Sequence, residues 1–189
     1  MQKKNYQEEI LNLIHSGLPK AELAEKLSDY HENDLADALA ALSPAERQAL
    51  YPVLGIERVA EIFSYLDDAE PYLKELSAEK AAKVVSNMDS DDAVDALDDL
   101  EEEDKAQIVQ QLDQDSAKDV RMLLSYGEDE IGSSMTTNYI CIRKDMTIRQ
   151  AMSELVKQAG ENDNISTLYV VDENDKFYGA IDLKDLIIA

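Results

Sequence analysis

The segment Asp91 to Leu100 carries the sharpest chemical signal in this sequence. Its aspartates stand at 91, 92, 95, 98 and 99. On a helix, at about 100° per residue, all five fall within about 120° of arc. Ala93, Val94, Ala96, Leu97 and Leu100 cover the opposite side, and Glu101, Glu102, Glu103 and Asp104 follow at once. Like charges at i,i+4, such as Asp91/Asp95 and Asp95/Asp99, oppose such a helix by roughly 0.2–0.5 kcal/mol per pair. Asp91 and Asp92 recover part of this near the positive N-terminal end of the helix dipole, whereas Asp98 and Asp99 stand at the wrong end. A face of this kind is either solvated or a landing surface for a divalent cation. Hard oxygen ligands suit Mg²⁺ or Ca²⁺, and Mg²⁺ keeps several waters, so one or two carboxylates suffice. Asp89 to Asp99 lacks the glycine and the spaced glutamate of an EF-hand loop. A cation held here would bind weakly, be shared between surfaces and respond to millimolar ion, which suits a sensor better than a catalyst.

The remaining reactive residues offer little catalytic chemistry. His15 and His31 have no partner at ligand spacing and read as surface or cap residues. Cys141, flanked by Ile140 and Ile142, reads as a buried small apolar group. No glycine-rich phosphate loop follows a strand, and carboxylate pairs are too common here to mark acid–base work. The expectation is a protein that is not an enzyme.

The acidic face has to be positioned by the elements around it, and these repeat. Leu42, Leu54, Leu66, Leu76, Met88, Leu100, Leu112 and Leu124 end a series of short apolar-periodic segments, twelve residues apart except for one interval of ten between Leu66 and Leu76, beside Pro71. The next residue usually caps or breaks a helix: Ser43, Gly55, Asp67, Ser77, Asp89, Glu101, Asp113, Ser125. At Ser43-Pro44-Ala45-Glu46 the serine accepts from a free N–H, proline fits the first helical position and Glu46 completes a capping box. Each unit is then a helix of roughly two to three turns, too short to stand alone. The units must bury their apolar stripes on one another, which predicts a right-handed, solenoid-like stack of short helices. Tyr6 to Ala24 supplies one or two further helices.

The rhythm stops near Tyr126, where Gly127, Gly132, Ser133 and Ser134 intervene. Tyr139–Arg143 then reads as a strand. Thr147–Ala159 reads as a helix with Ile148, Met152, Leu155 and Val156 on one face. Thr167–Asp172 is a strand, Glu173-Asn174-Asp175 a hairpin turn, Phe177–Ile181 a strand with Gly179 inside it, and Leu183–Ile188 a closing helix. The fold class expected is mostly α, with two domains: an acidic helical domain over residues 1–127, then a linker and a β-α-β-β-α motif over 128–189.

Composition narrows the partners. Asp and Glu number 41 against 18 Lys and Arg, a net charge of −23, so the chain repels nucleic acid and anionic lipid and attracts cations and basic partners. Hydrophobic residues make up 44%, enough for a core and too regularly placed for a disordered acidic tail. No apolar run reaches the ~18–20 residues of a membrane helix, and the polar start is no signal peptide. A single cysteine fits a reducing compartment. These features predict a soluble, cytosolic piece that does not itself enter a membrane.

Two stretches carry a family resemblance. His31-Glu32-Asn33-Asp34-Leu35-Ala36-Asp37-Ala38-Leu39 and the short repeats after it resemble the N-terminal domain of MgtE-type magnesium transporters. Leu124-Ser125-Tyr126-Gly127-Glu128-Asp129-Glu130-Ile131-Gly132-Ser133-Ser134-Met135-Thr136 is similar to that family's passage into its first cystathionine-β-synthase-type (CBS) motif. Gly179-Ala180-Ile181-Asp182-Leu183-Lys184-Asp185-Leu186 resembles the end of such a motif. The resemblance implies a cytoplasmic region that senses intracellular Mg²⁺ and closes a pore when Mg²⁺ is high. Glu61, Asp91 and Asp95 match metal-bridging acids of the family, with Asp92 and Asp99 as secondary acidic candidates. Gly132 and Ser133 match a metal-contacting small pair, with Ser in place of the second Gly. Asp185 matches a position that contacts a nucleotide ribose, which brings in ATP as a second ligand. The resemblance also implies partners: a transmembrane pore domain and a second CBS motif of the same full-length chain, and a homodimer. With one CBS motif present, a piece of a longer protein is expected. Two other classes stay open, an adenine-nucleotide-sensing CBS module and a helical scaffold protein.

Overall fold

The computed structural model describes residues 6–98, 100–127, 129–160, 162 and 164–189. Its contacts divide the chain into two compact units that meet between Met135 and Thr136.

The first unit is a stack of short helices: α1 (Tyr6–Ile14), α2 (Lys20–Leu27), α3 (Glu32–Ala41), α4 (Pro44–Leu54), α5 (Ile56–Phe63), α6 (Glu70–Lys74), α7 (Ala78–Val85), α8 (Ser90–Asp98), α9 (Glu102–Gln111) and α10 (Gln114–Leu123). Their ends are set locally. Ser43 accepts from the Glu46 N–H while the Glu46 carboxylate accepts from the Ser43 N–H, a full capping box. Ser77 and His31 cap α7 and α3 through side-chain acceptors. Gly55, at φ 86, turns α4 directly into α5, a conformation that a Cβ would strain.

Once capped, the helices bury the same four-position pattern. It is Val59, Ala60, Ile62 and Phe63 on α5, Ala81, Ala82, Val84 and Val85 on α7, and Ala93, Val94, Ala96 and Leu97 on α8. An apolar stripe at i, i+1, i+3, i+4 has one wet side, so each helix packs against neighbours on the other. α1 packs on α3, α3 on α5, α5 on α7 and α7 on α9, while α2 packs on α4 and α8 on α10. Stacking therefore skips one helix, and the structural repeat is two sequence units. One continuous core runs through the unit. Burying a side chain such as Phe63 or Leu97 contributes about 1.5–3 kcal/mol.

The ten-residue interval has a structural consequence. Its helix, α6, has only 5 residues. Asp67, expected as the cap, does not perform that role: the Asp68 carboxylate accepts from the Glu70 N–H at 2.9 Å, one residue later. A stub this short leaves open space at both of its ends.

The second unit contains a three-stranded sheet of order β1 (Ile140–Arg143), β2 (Thr167–Val171), β3 (Phe177–Asp182). β1 and β2 run parallel, in register Ile140↔Leu168, and are joined by the crossover helix α11 (Ile148–Gln158). β2 and β3 are antiparallel, with an irregularity between Val170 and Val171. Asp172 shapes their turn by accepting from the N–H groups of Asn174 and Lys176. Those two bonds hold its carboxyl below the usual range. α12 (Leu183–Ile188) closes the chain, and Ile140, Ile142, Ala151, Leu155, Leu168, Val170 and Leu186 form the core.

Two expectations need correction here. Cys141 is half-buried. Strand side chains alternate, so Ile140 and Ile142 fill the core and Cys141 points to the other face. On α11 the core residues are Ala151 and Leu155; Val156 is 71% exposed, and Ile148 is exposed too. At about 100° per residue, a stripe centred on Ala151 and Leu155 swings Val156 away from the sheet.

Candidate functional site

The acidic face forms as the spacing of Asp91 to Leu100 predicts. Ala93, Val94, Ala96, Leu97 and Leu100 are buried, Asp91 and Asp92 are half-buried, and Asp95 and Asp98 are exposed. Asp99 lies outside the described residues. Ser90 is buried at the start of the helix.

α8 lays this face beside the C-terminal end of α5. Asp92 and Asp95 line a cavity of about 160 Å³ with Ser64, Leu66, Asp67 and Ala69, on the side of α6 that the short repeat leaves open. The Asp92 carboxylate accepts a side-chain hydrogen bond from Ser64, the residue that ends α5. Burial pushes the Asp92 carboxyl above its ordinary value, the Ser64 bond opposes this, and the charges of Asp91 and Asp95 add to it. The ionised face is thus held together against its own electrostatics by the packing beneath it.

Glu61 is exposed on α5, one turn before Ser64, and is not among the cavity walls. Gly132 and Ser133 sit apart from that cavity, in a short 3₁₀ turn over Ile131–Ser134. Gly132 is buried against the Tyr126 ring, and a Cβ built there would lie 2.4 Å from a ring carbon. The Ser133 hydroxyl donates to the Glu130 carbonyl at 2.8 Å. Asp185 belongs to the second unit, exposed in the first turn of α12.

Two residues escaped sequence reasoning. Asp67, which the repeat spacing places at a cap, joins the cavity wall instead. Lys105, on α9, reaches back to Asp98 with Nζ 2.8 Å from Oδ1, its side chain 15% exposed. It offsets the Asp98 carboxylate, which stands at the wrong end of the α8 dipole. Seven residues separate the pair, and the hint available was a single lysine within a run of acids.

The donor set suits a hard cation in one respect and limits it in another. Among the described residues, no group of three or more His, Cys, Asp or Glu is placed to hold a metal ion. One or two carboxylates at a time is what a hydrated Mg²⁺ takes from a protein. In the second unit, a shallow, mainly apolar groove of about 530 Å³ runs past Ser166, Asp182, Leu183, Lys184 and Ile187. Asp185 is not among its walls. Among the described residues, no helix is long and apolar enough to cross a membrane.

Comparison with known proteins matches two regions of the chain. Residues 30–129 match the family model of the MgtE intracellular N domain, and residues 129–189 match that of the CBS domain. The magnesium transporter MgtE of Enterococcus faecalis is 40% identical over 151 residues, which is 78% of this chain and 33% of that protein. This chain thus spans about a third of that relative. A crystal structure of the soluble part of a magnesium transporter superposes with a TM-score of 0.90 at 30% identity, covering 97% of this chain and 74% of the other. The cytosolic domain of the Mg²⁺ channel MgtE in complex with ATP superposes with a TM-score of 0.83 at 29% identity, covering 97% and 75%.

Proposed function

Because this chain belongs to the MgtE family, we propose that it is the Mg²⁺-sensing regulatory region of a magnesium transporter, working on the cytosolic side of the membrane and closing the pore when intracellular Mg²⁺ is high. The observation that carries this reading is the α8 face: Asp91 and Asp95 beside a half-buried Asp92 whose pKa is raised by burial and by these like-charged neighbours. A divalent ion relieves that repulsion, so it favours whichever conformation brings a second set of oxygen ligands against the face. Asp91 and Asp95, with Glu61 on α5 and Asp92 as an auxiliary, supply one side of each bridge. The Gly132-Ser133 turn contributes through its backbone. The other side comes from a second CBS motif and a transmembrane pore domain of a full-length homodimer.

The test is a Mg²⁺ titration of the full-length cytosolic region, read by small-angle scattering and protease resistance. Compaction at millimolar Mg²⁺, lost in Asp91→Ala/Asp95→Ala, supports the reading. Indifference of both proteins to Mg²⁺ sinks it.

A second reading concerns ATP. The groove beside α12 has an apolar wall for an adenine ring, with the Lys184 ammonium and Ser166 hydroxyl near it, and Asp185 stands on the same helix. Calorimetry with ATP, with and without Mg²⁺, tests it. Absence of heat at millimolar nucleotide, or unchanged binding in Asp185→Ala/Lys184→Ala, removes it.

A further inference from the structure

Lys105 occupies a position that its own helix does not favour. It stands at the end of the first turn of α9, and a cation near a helix N-terminus opposes the dipole of that helix. Its side chain crosses to α8 instead. The ammonium meets the Asp98 carboxylate at 2.8 Å, and the Glu102 carboxylate lies 3.9 Å from it. The Lys105 side chain is 15% exposed, whereas Asp98 is 54% exposed. A lysine on open surface lets its charge wander; here the covered stem delivers the ammonium to one place at the end of the acidic face. A residue that breaks a local rule on its own helix and answers a charge on the next one is placed by a tertiary requirement.

We infer, on the regulatory reading proposed above, that Lys105 is a tethered cation that sets the Mg²⁺ threshold of the α8 face. Asp98 follows Asp95 by three residues, so the two are helical neighbours with Cβ atoms about 5–6 Å apart. The ammonium held on Asp98 is therefore within roughly one Debye length of Asp95, about 8–10 Å at ordinary salt. Two effects result. The ion pair occupies Asp98, and the fixed positive charge opposes any divalent ion that approaches the neighbouring aspartates. Affinity for such an ion rises with the number of charged ligands, so both effects move the response toward higher Mg²⁺. The pair acts as a brake that keeps an acidic helix face from filling at trace concentrations of ion.

The experiment titrates the full-length protein with MgCl₂ and reads the midpoint of protease resistance. Lys105→Met keeps the covered stem and removes the charge. Its midpoint should fall by a factor of roughly 2 to 5, the weight of one unit charge on a divalent ion at this separation. Lys105→Arg keeps the charge and should leave the midpoint unchanged. Asp98→Asn leaves the ammonium unopposed and should raise the midpoint by a similar factor, and Lys105→Met/Asp98→Asn should return it close to the wild-type value. All of these shifts should shrink as NaCl is raised from ~50 to ~300 mM. If Lys105→Met does not fold, Lys105→Gln and Asp98→Asn carry the same test. A lysine that merely closes the end of α8 would lower stability in urea without divalent ions and leave the Mg²⁺ midpoint of Lys105→Met at the wild-type value; that result overturns the inference alone. A wild type that ignores Mg²⁺ overturns the regulatory reading and the inference with it.

Discussion

Replacing Arg47 by methionine should remove a substantial part of the stability of the helical unit. The Arg47 guanidinium is about nine-tenths buried and engages the Glu75 carboxylate through both Nε, at 3.0 Å, and a terminal nitrogen. Its other terminal nitrogen donates to the carbonyls of Leu39 and Leu42, closing the end of α3. The Tyr72 ring lies beneath it, 4.8 Å from the guanidinium carbon to the ring centroid. Glu75 side-chain exposure is 12%, so its carboxylate has little water to fall back on. The hydrogen bond to Glu75 raises the Arg47 pKa, and burial beside the same carboxylate pushes the Tyr51 hydroxyl up as well, burial being the larger cause. Breaking a buried pair by removing one partner costs about 3–5 kcal/mol, because the survivor stays buried and charged. At a urea dependence of about 2 kcal/mol per molar, the unfolding midpoint should fall by about 2 M with its slope unchanged. Glu75→Leu should cost a similar amount. Arg47→Met/Glu75→Leu should recover most of the loss, because the double variant no longer holds a charge away from water. Urea unfolding followed by far-ultraviolet circular dichroism measures all three. A single-variant loss below about 1 kcal/mol would refute the argument, since that is the behaviour of a solvent-screened surface pair.

Three further outcomes are expected. Asp92→Asn should raise the midpoint of the unliganded chain by the equivalent of about 0.5 kcal/mol, because a neutral amide relieves the like-charge contacts and keeps a partner for Ser64; thermal unfolding without divalent ions checks it, and destabilisation would contradict the raised pKa. The capping-box carboxylate of Glu46 is held at about 2 against an ordinary 4.5, through Ser43 first and then His15. A depressed acid stabilises the fold above its unfolded value and loses that contribution as pH falls from 4.5 toward about 2, so acid should weaken the wild type more than Glu46→Gln in parallel pH-dependent unfolding. Gly132→Ala should displace the Tyr126 ring and destabilise by about 1–3 kcal/mol as an overpacked site, yet be nearly neutral in a Tyr126→Ala background; hydrogen exchange over 127–135 in the four proteins measures the coupling.

Much of the fold was legible because its signals are local. Caps such as Ser43 and Ser77, the glycine at 55 and the twelve-residue apolar period each act within one or two turns. They specify where short helices start, stop and turn their apolar sides. The β-α-β-β-α order was legible for the same reason, and the α8 acidic face needed only helical periodicity. The family resemblance, carried by the acidic helical repeats and the Tyr126 to Thr136 junction, agrees with the MgtE and CBS matches. Where judgement on a face depended on its neighbours, sequence reasoning slipped: Cys141 and Val156 are apolar, but the sheet and the rotation of α11 decide how much of each is covered.

What the sequence determined by itself was therefore a stack of short helices, an acidic face on one of them and the motif that follows. Only the tertiary structure decided how those pieces meet. It paired Arg47 with Glu75 across 28 residues, Lys105 with Asp98, and Gln158 with the backbone of Cys141. It also turned a ten-residue interval into a five-residue helix beside an open cavity walled by Asp67, Asp92 and Asp95. The physical reason is range. Capping and periodicity act along a few bonds of one chain segment, whereas ion pairing, burial and pKa shifts depend on which distant segments packing brings within a few ångströms.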